Sequence, residues 1–159
     1  MVPSRRPSAE RVLAALSSQL AELERSVPAG LAGGARAGGA RAARDLQSAC
    51  VDAVLAAVAA GLRPQPDAAR IAVRYLLDLL AAAVPGRAVE VRVPPYGAVQ
   101  CVPGPTHTRG TPPNVVETDP VSWLRLATGD LTWREGIERG VIRASGPRAD
   151  LSPHLPVSR

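Results

Sequence analysis

Apolar residues recur at helical intervals through the first half of this chain and at two-residue intervals after it. From Ser8, a natural N-cap, Leu13, Leu16, Leu20, Leu23 and Val27 stand three and four apart, with Glu10, Gln19, Glu22, Glu24 and Arg25 on the other faces. That spacing predicts a helix ending at Pro28, with a narrow seam suited to a neighbouring helix or a second copy of the chain. A second helix is predicted over Ala40 to Ala60, with Val51, Val54, Leu55, Val58 and Leu62 as its apolar face and Gly61 and Pro64 as its stop. Arg63-Pro64-Gln65-Pro66 reads as a boundary, after which Asp67 caps a third helix, Ala68 to Val84, buried along Val73, Leu76, Leu77, Leu80 and Val84.

Past Pro85-Gly86 the period becomes two. Val89-Glu90-Val91-Arg92-Val93 alternates strictly and predicts a strand with its valines inward. Pro94-Pro95-Tyr96-Gly97 turns the chain into a returning strand, Ala98 to Val102, with Val99 and Cys101 on one face. Pro103 to Asn114 is an irregular loop leading to a third strand at Val115 and Val116.

The segment from Val115 to Leu155 carries the densest local signals. Asp119 before Pro120 is a cap followed by a residue that needs no N–H, and it opens a short apolar helix that Gly129 closes. Thr132 with Glu135 is a capping box for a second short helix, which Gly140 closes before a strand from Val141 to Gly146.

This last segment resembles the sterol-carrier-protein domain, and in particular the short bacterial sterol-carrier-like proteins. The resemblance lies in Thr118-Asp119, Trp123-Leu124, Gly129, Leu131, Gly136-Ile137, Gly140, Ile142 and Gly146, and extends over residues 66 to 157. It is also similar to the C-terminal domain of thiol-dependent maleylpyruvate isomerases. The resemblance implies an α+β fold, with helices on one twisted, mostly antiparallel sheet of four to five strands, and an apolar cavity for a lipid. The division is then an N-terminal extension over residues 1 to 64, two helices with a Gly/Arg-rich linker, and a carrier-like domain over residues 66 to 157. Those isomerases carry a metal in a helical bundle. Residues 1 to 65 here contain no His, so no His-ligated metal is expected in the extension.

Net charge is +5, carried entirely by arginines spread over 159 residues. The repeat GGAR, at Gly33 to Arg36 and again at Gly38 to Arg41, suggests an arm for phosphate. It has no aromatic side chain to stack a base, however, so a flexible connection is the simpler account and a nucleic-acid partner is not expected. Cys50 and Cys101 lack a paired spacing and are expected as free, half-buried thiols in a cytoplasmic protein. The apolar run Val12 to Leu16 is too short for a secretory signal, and Ala53 to Leu62 spans about half a membrane.

Candidate chemistry is sparse. Glu117 and Asp119 are two apart, but Asp119 is accounted for as a cap, and no serine stands in a nucleophile setting. No catalytic residue, metal ligand or cofactor is assigned. The residues expected between sheet and helices are Val91, Val93, Val99, Cys101, Val115, Trp123, Leu124 and Ile137. They line a ligand cavity or form ordinary core. His107 and Arg109 are the candidate polar anchors for a ligand head group. Known sterol carriers line their tunnels with Phe and Met, whereas this chain has no Phe and only Met1. The expected function is non-enzymatic carriage of a lipid or other apolar molecule. The alternative is an assembly module with a closed core.

Overall fold

The computed structural model describes residues 7–104 and 114–157. The protein is α+β, with six helices and an open four-stranded mixed sheet among the described residues. It divides into two compact units, Met1–Ala72 and Val73–Arg159, and the division falls within a helix.

The first unit is helical: α1 (Ala9–Glu22), α2 (Ala29–Ala37), α3 (Ala40–Ala59) and the beginning of α4 (Pro66–Ala83). Ser8 caps α1 as predicted, accepting from the Arg11 N–H. The buried face of α1 is Val12, Ala15, Leu16 and Gln19, while Leu13, Leu20, Leu23 and Val27 are half-buried. The predicted seam is thus rotated. On α3 the buried set is Leu46, Cys50, Val51, Ala53, Val54 and Ala57, with Leu55 and Val58 at the margin and Leu62 exposed. Ala15, Ala53 and Ala57 let helix backbones approach closely, and Leu13 and Leu55 are left at the edges while Leu16 and Leu46 are buried. Gln19 is buried for a reason of its own, since its Oε1 accepts the Gln65 N–H (2.7 Å) ahead of the first turn of α4.

Residues 29–37, taken from the sequence as part of a flexible connection, form α2 instead. Leu31 and the alanines favour helix, and Gly38 and Gly39, both at positive φ, end it. Helix α4 begins at Pro66, so Asp67 lies in its first turn rather than before it.

In the second unit, β1 (Val89–Val93) pairs antiparallel with β2 (Gly97–Cys101) and parallel with β3 (Val115–Thr118), which pairs antiparallel with β4 (Ile142–Ser145). The strand order is β2-β1-β3-β4. Between β3 and β4 lie α5 (Pro120–Thr128) and α6 (Trp133–Glu138), and a short 3-10 helix (Ser152–His154) follows β4. Every cap predicted here is present. Asp119 accepts from the Val121 and Ser122 N–H groups (both 3.0 Å), Gly129 takes the left-handed conformation (φ 91°), and both bonds of the Thr132–Glu135 box are made.

One face of the sheet is sealed. Val89, Val91, Val93, Cys101 and Val116 are buried, as are Leu76, Leu77, Leu80, Trp123, Leu124 and Leu126 from the helices. The Trp123 indole N–H donates to the Val73 carbonyl (3.3 Å), which satisfies its polar edge within the core. Gly136 permits the close approach of α6 to β4, since a Cβ there would stand 2.2 Å from Ile142 Cδ1.

Candidate functional site

The eight residues expected between sheet and helices fall into two groups. Val91, Val93, Cys101, Trp123 and Leu124 come together in the sealed core, each with 0% of its surface exposed. A side chain bordering a hollow wide enough for water would carry accessible surface on that side, and these carry none. In this arrangement they pack as core.

Val99 is half-buried on the same face of β2 as Cys101. Val115 and Ile137 are placed differently from expectation. The alternation along β3 turns Val116 and Thr118 inward, so Val115 and Glu117 lie on the other face. Ile137 ends up 41% exposed on α6, because Gly136 is the residue of that turn packed against Ile142. His107 and Arg109 lie outside the described residues.

Val115 and Ile137 nevertheless both border one open feature, from opposite faces of the edge strand β4. With Ile142 and Ala144 they line an open groove of about 490 Å³ along β4, bordered by Glu117, Arg143 and Ser145. An adjoining groove of about 380 Å³ shares Glu117 and Arg143 and continues to Pro94, Asp119 and Gly140. Both volumes are within the range of small-molecule sites. A further groove of about 330 Å³ lies beside Trp133, with Leu126, Leu131, Leu155 and Pro156 on its walls.

The charges at the β4 groove are set out by strand register. Glu117 is opposite Arg143 on β4 and opposite Arg92 on β1. Arg92 is engaged by Glu90. Glu117 and Arg143 form no ion pair or side-chain hydrogen bond among the described residues. In the sequence Glu117 stands out only as half of an acid/base pair, and no local motif marks Arg143. The usable signal was the alternation of Val115-Val116-Glu117 against Arg143-Ala144-Ser145.

The titratable groups elsewhere are explained by local structure. Burial pushes the Cys50 thiol up to about 12 and the Cys101 thiol up to about 11. Both cysteines are free and wholly buried, where half-burial had been expected. Hydrogen bonds from the Thr132 hydroxyl and backbone N–H lower the Glu135 carboxyl, with Arg139 adding to them. Among the described residues no three His, Cys, Asp or Glu side chains gather to hold a metal, and no helix is long and apolar enough to cross a membrane.

A family model described as bacterial SCP ortholog, for sterol carrier protein, matches residues 65–157, more than half of the chain. The chain belongs to this family. The match takes in the whole sheet, both short helices and the β4 groove. No curated protein matches it.

Proposed function

We propose that this protein is a non-enzymatic binder and carrier of a lipid or other apolar small molecule, working in the cytoplasm. The observation that carries the reading is Ile137, an exposed large apolar side chain beside Ile142 and Ala144 on the open groove along β4. Membership of the family supports it, since the sterol-carrier resemblance implies apolar cargo. The groove is open, so cargo can enter and leave without the sealed valine face coming apart. Burying about 300 Å² of an apolar chain contributes at most about 7–8 kcal/mol at ~25 cal/mol/Å². Association and ordering costs bring this to micromolar affinity or weaker, which suits release. The test is mass spectrometry of the purified protein for retained lipid, together with titration of fluorescent fatty acyl and sterol probes. The absence of both retained lipid and saturable uptake would sink the proposal.

A second reading, an assembly module with a closed core, is favoured by the 0% exposure of Val91, Val93, Cys101, Trp123 and Leu124. Its partner surface would be the half-buried Leu13, Leu20, Leu23 and Val27, with Leu16 beneath them. Light scattering of the full chain distinguishes the two: a stable oligomer that takes up no probe is the module's signature.

A further inference from the structure

We propose that the outer edge of β4 is a strand-addition site for an extended peptide whose alternate residues are apolar and acidic. The proposal goes beyond the small-molecule reading and does not depend on it.

β4 ends the strand order β2-β1-β3-β4, so β3 is its one neighbour in the sheet. In an antiparallel sheet, alternate residues turn their N–H and C=O groups toward opposite neighbours. Half of the β4 backbone therefore points away from β3. Among the described residues no backbone group outside β3 bonds to Arg143, Ala144 or Ser145, and all three are exposed. The other edge of the sheet is guarded. β2 is half-buried or buried along its length, the Tyr96 carbonyl before it accepts from the Arg74 guanidinium (3.3 Å), and the Val102 N–H after it donates to the Val84 carbonyl (2.9 Å). Free N–H and C=O groups at strand spacing are complemented by another strand, so the occupant that fits β4 is a polypeptide.

Strand register sets the side chains of that peptide. Ala144 is opposite Val116 and Ile142 opposite Thr118, both inward residues, so Ala144 and Ile142 lie on the helix-covered side. Ile137 of α6, 41% exposed, stands on that side with them. Arg143 and Ser145 lie on the opposite side, where Arg143 makes no ion pair among the described residues. An added strand straddles the edge, and its successive side chains meet the two sides in turn. A residue opposite Ala144 gains apolar contact on the Ile137 side. A residue opposite Arg143 has its Cβ about 4.5–5.5 Å away, where a carboxylate is the favourable partner. Glu117 is the register neighbour of Arg143 on β3, one strand farther from the added chain, so its repulsion is the weaker term. A second copy of β4 fits less well. With the helices of both copies on one side, antiparallel pairing through Ala144 sets the two Arg143 side chains diagonally across, and pairing through Arg143 sets them directly opposite.

The test uses the full chain and three fluorescently labelled peptides, read by anisotropy at neutral pH and low salt: five Val-Glu repeats, five Val-Arg repeats, and a shuffled peptide of the first composition. The Val-Glu peptide is expected to bind about tenfold or more tighter than either control. Only alternate N–H groups of an added strand face β4. Of two Val-Glu peptides, one N-methylated at every Val and one at every Glu, one should therefore lose about tenfold or more and the other stay within about threefold. Arg143→Gln should bring the Val-Glu and Val-Arg peptides within about threefold, with an unchanged melting curve because the side chain is exposed. Equal binding of the shuffled peptide, equal behaviour of the two methylated forms, or a Val-Glu preference that survives Arg143→Gln would each overturn the proposal. A dimer in light scattering that the Val-Glu peptide does not dissociate, and to which it does not bind, would give the edge to a second copy and overturn it too. Saturable binding of no peptide would remove the strand-addition site and leave the small-molecule reading untouched.

Discussion

In the Met1–Ala72 unit, the helices bury small residues, Ala15, Ala53, Ala57 and Cys50, together with Leu16 and Leu46, while Leu13, Leu20, Leu23 and Leu55 sit at the margins. In the Val73–Arg159 unit the alternating valines of β1, together with Val116, turn inward as a set, and Trp123, Leu124 and Leu126 join them in the core. The two differ in what fixes orientation. A strand offers two faces, and its period leaves no intermediate choice. An Ala-rich helix can rotate by tens of degrees and still bury small residues, so the shape of its neighbour decides which stripe goes inside. Each small side chain also contributes little burial, and directed contacts such as the Gln65 N–H to Gln19 Oε1 bond help set the packing.

The sharpest way to break this contrast is at Trp123. Trp123→Ala removes a wholly buried indole and the donor to the Val73 carbonyl, and about 3–5 kcal/mol of stability should be lost in denaturant unfolding. A loss under about 1 kcal/mol would mean that the second unit is not built on that anchor. In the first unit, Leu16→Ala should cost about 2–4 kcal/mol and Leu13→Ala less than about 1, because only Leu16 is fully buried. Equal losses would restore the leucine stripe as the packed face.

The two thiols, one in each unit, give a pH test. A thiol whose folded pKa is raised stabilises the fold below its unfolded value of 9.0, and that contribution is lost as pH rises through the folded value. Stability should therefore decline from about pH 9, with the window closing near 11 for Cys101 and near 12 for Cys50. At neutral pH neither should react with a disulfide reagent until its own unit opens, so the two labelling rates report the two openings separately. Prompt labelling of either cysteine in the native protein would contradict its burial. The smallest effect is at the caps: Asp119→Ala should cost about 1 kcal/mol, seen as a modest drop in melting temperature.

What could be read in the chain divides along the same line. The Asp119 and Thr132 caps, the Gly129 stop and the β1 alternation are each complete within a few residues, and the structure contains all of them. The start of α4 was misjudged by two residues because Pro66 takes the first turn and leaves Asp67 inside it. Helix α2 was missed because glycine repeats masked its alanines. Of the site, Val115 and Ile137 were identified for their apolar character but assigned to the wrong face.

The sequence by itself determined the elements whose ends are chemically marked, the family, and the alternation that gives the sheet its sealed side. Only the tertiary structure decided which stripe of α1 and α3 is buried, that Ile137 is left in the open, and that Glu117 stands beside Arg143. The physical reason is range. A cap is satisfied by backbone groups two or three residues away, whereas helix rotation and cross-strand register depend on partners distant in the chain, whose positions no local pattern encodes.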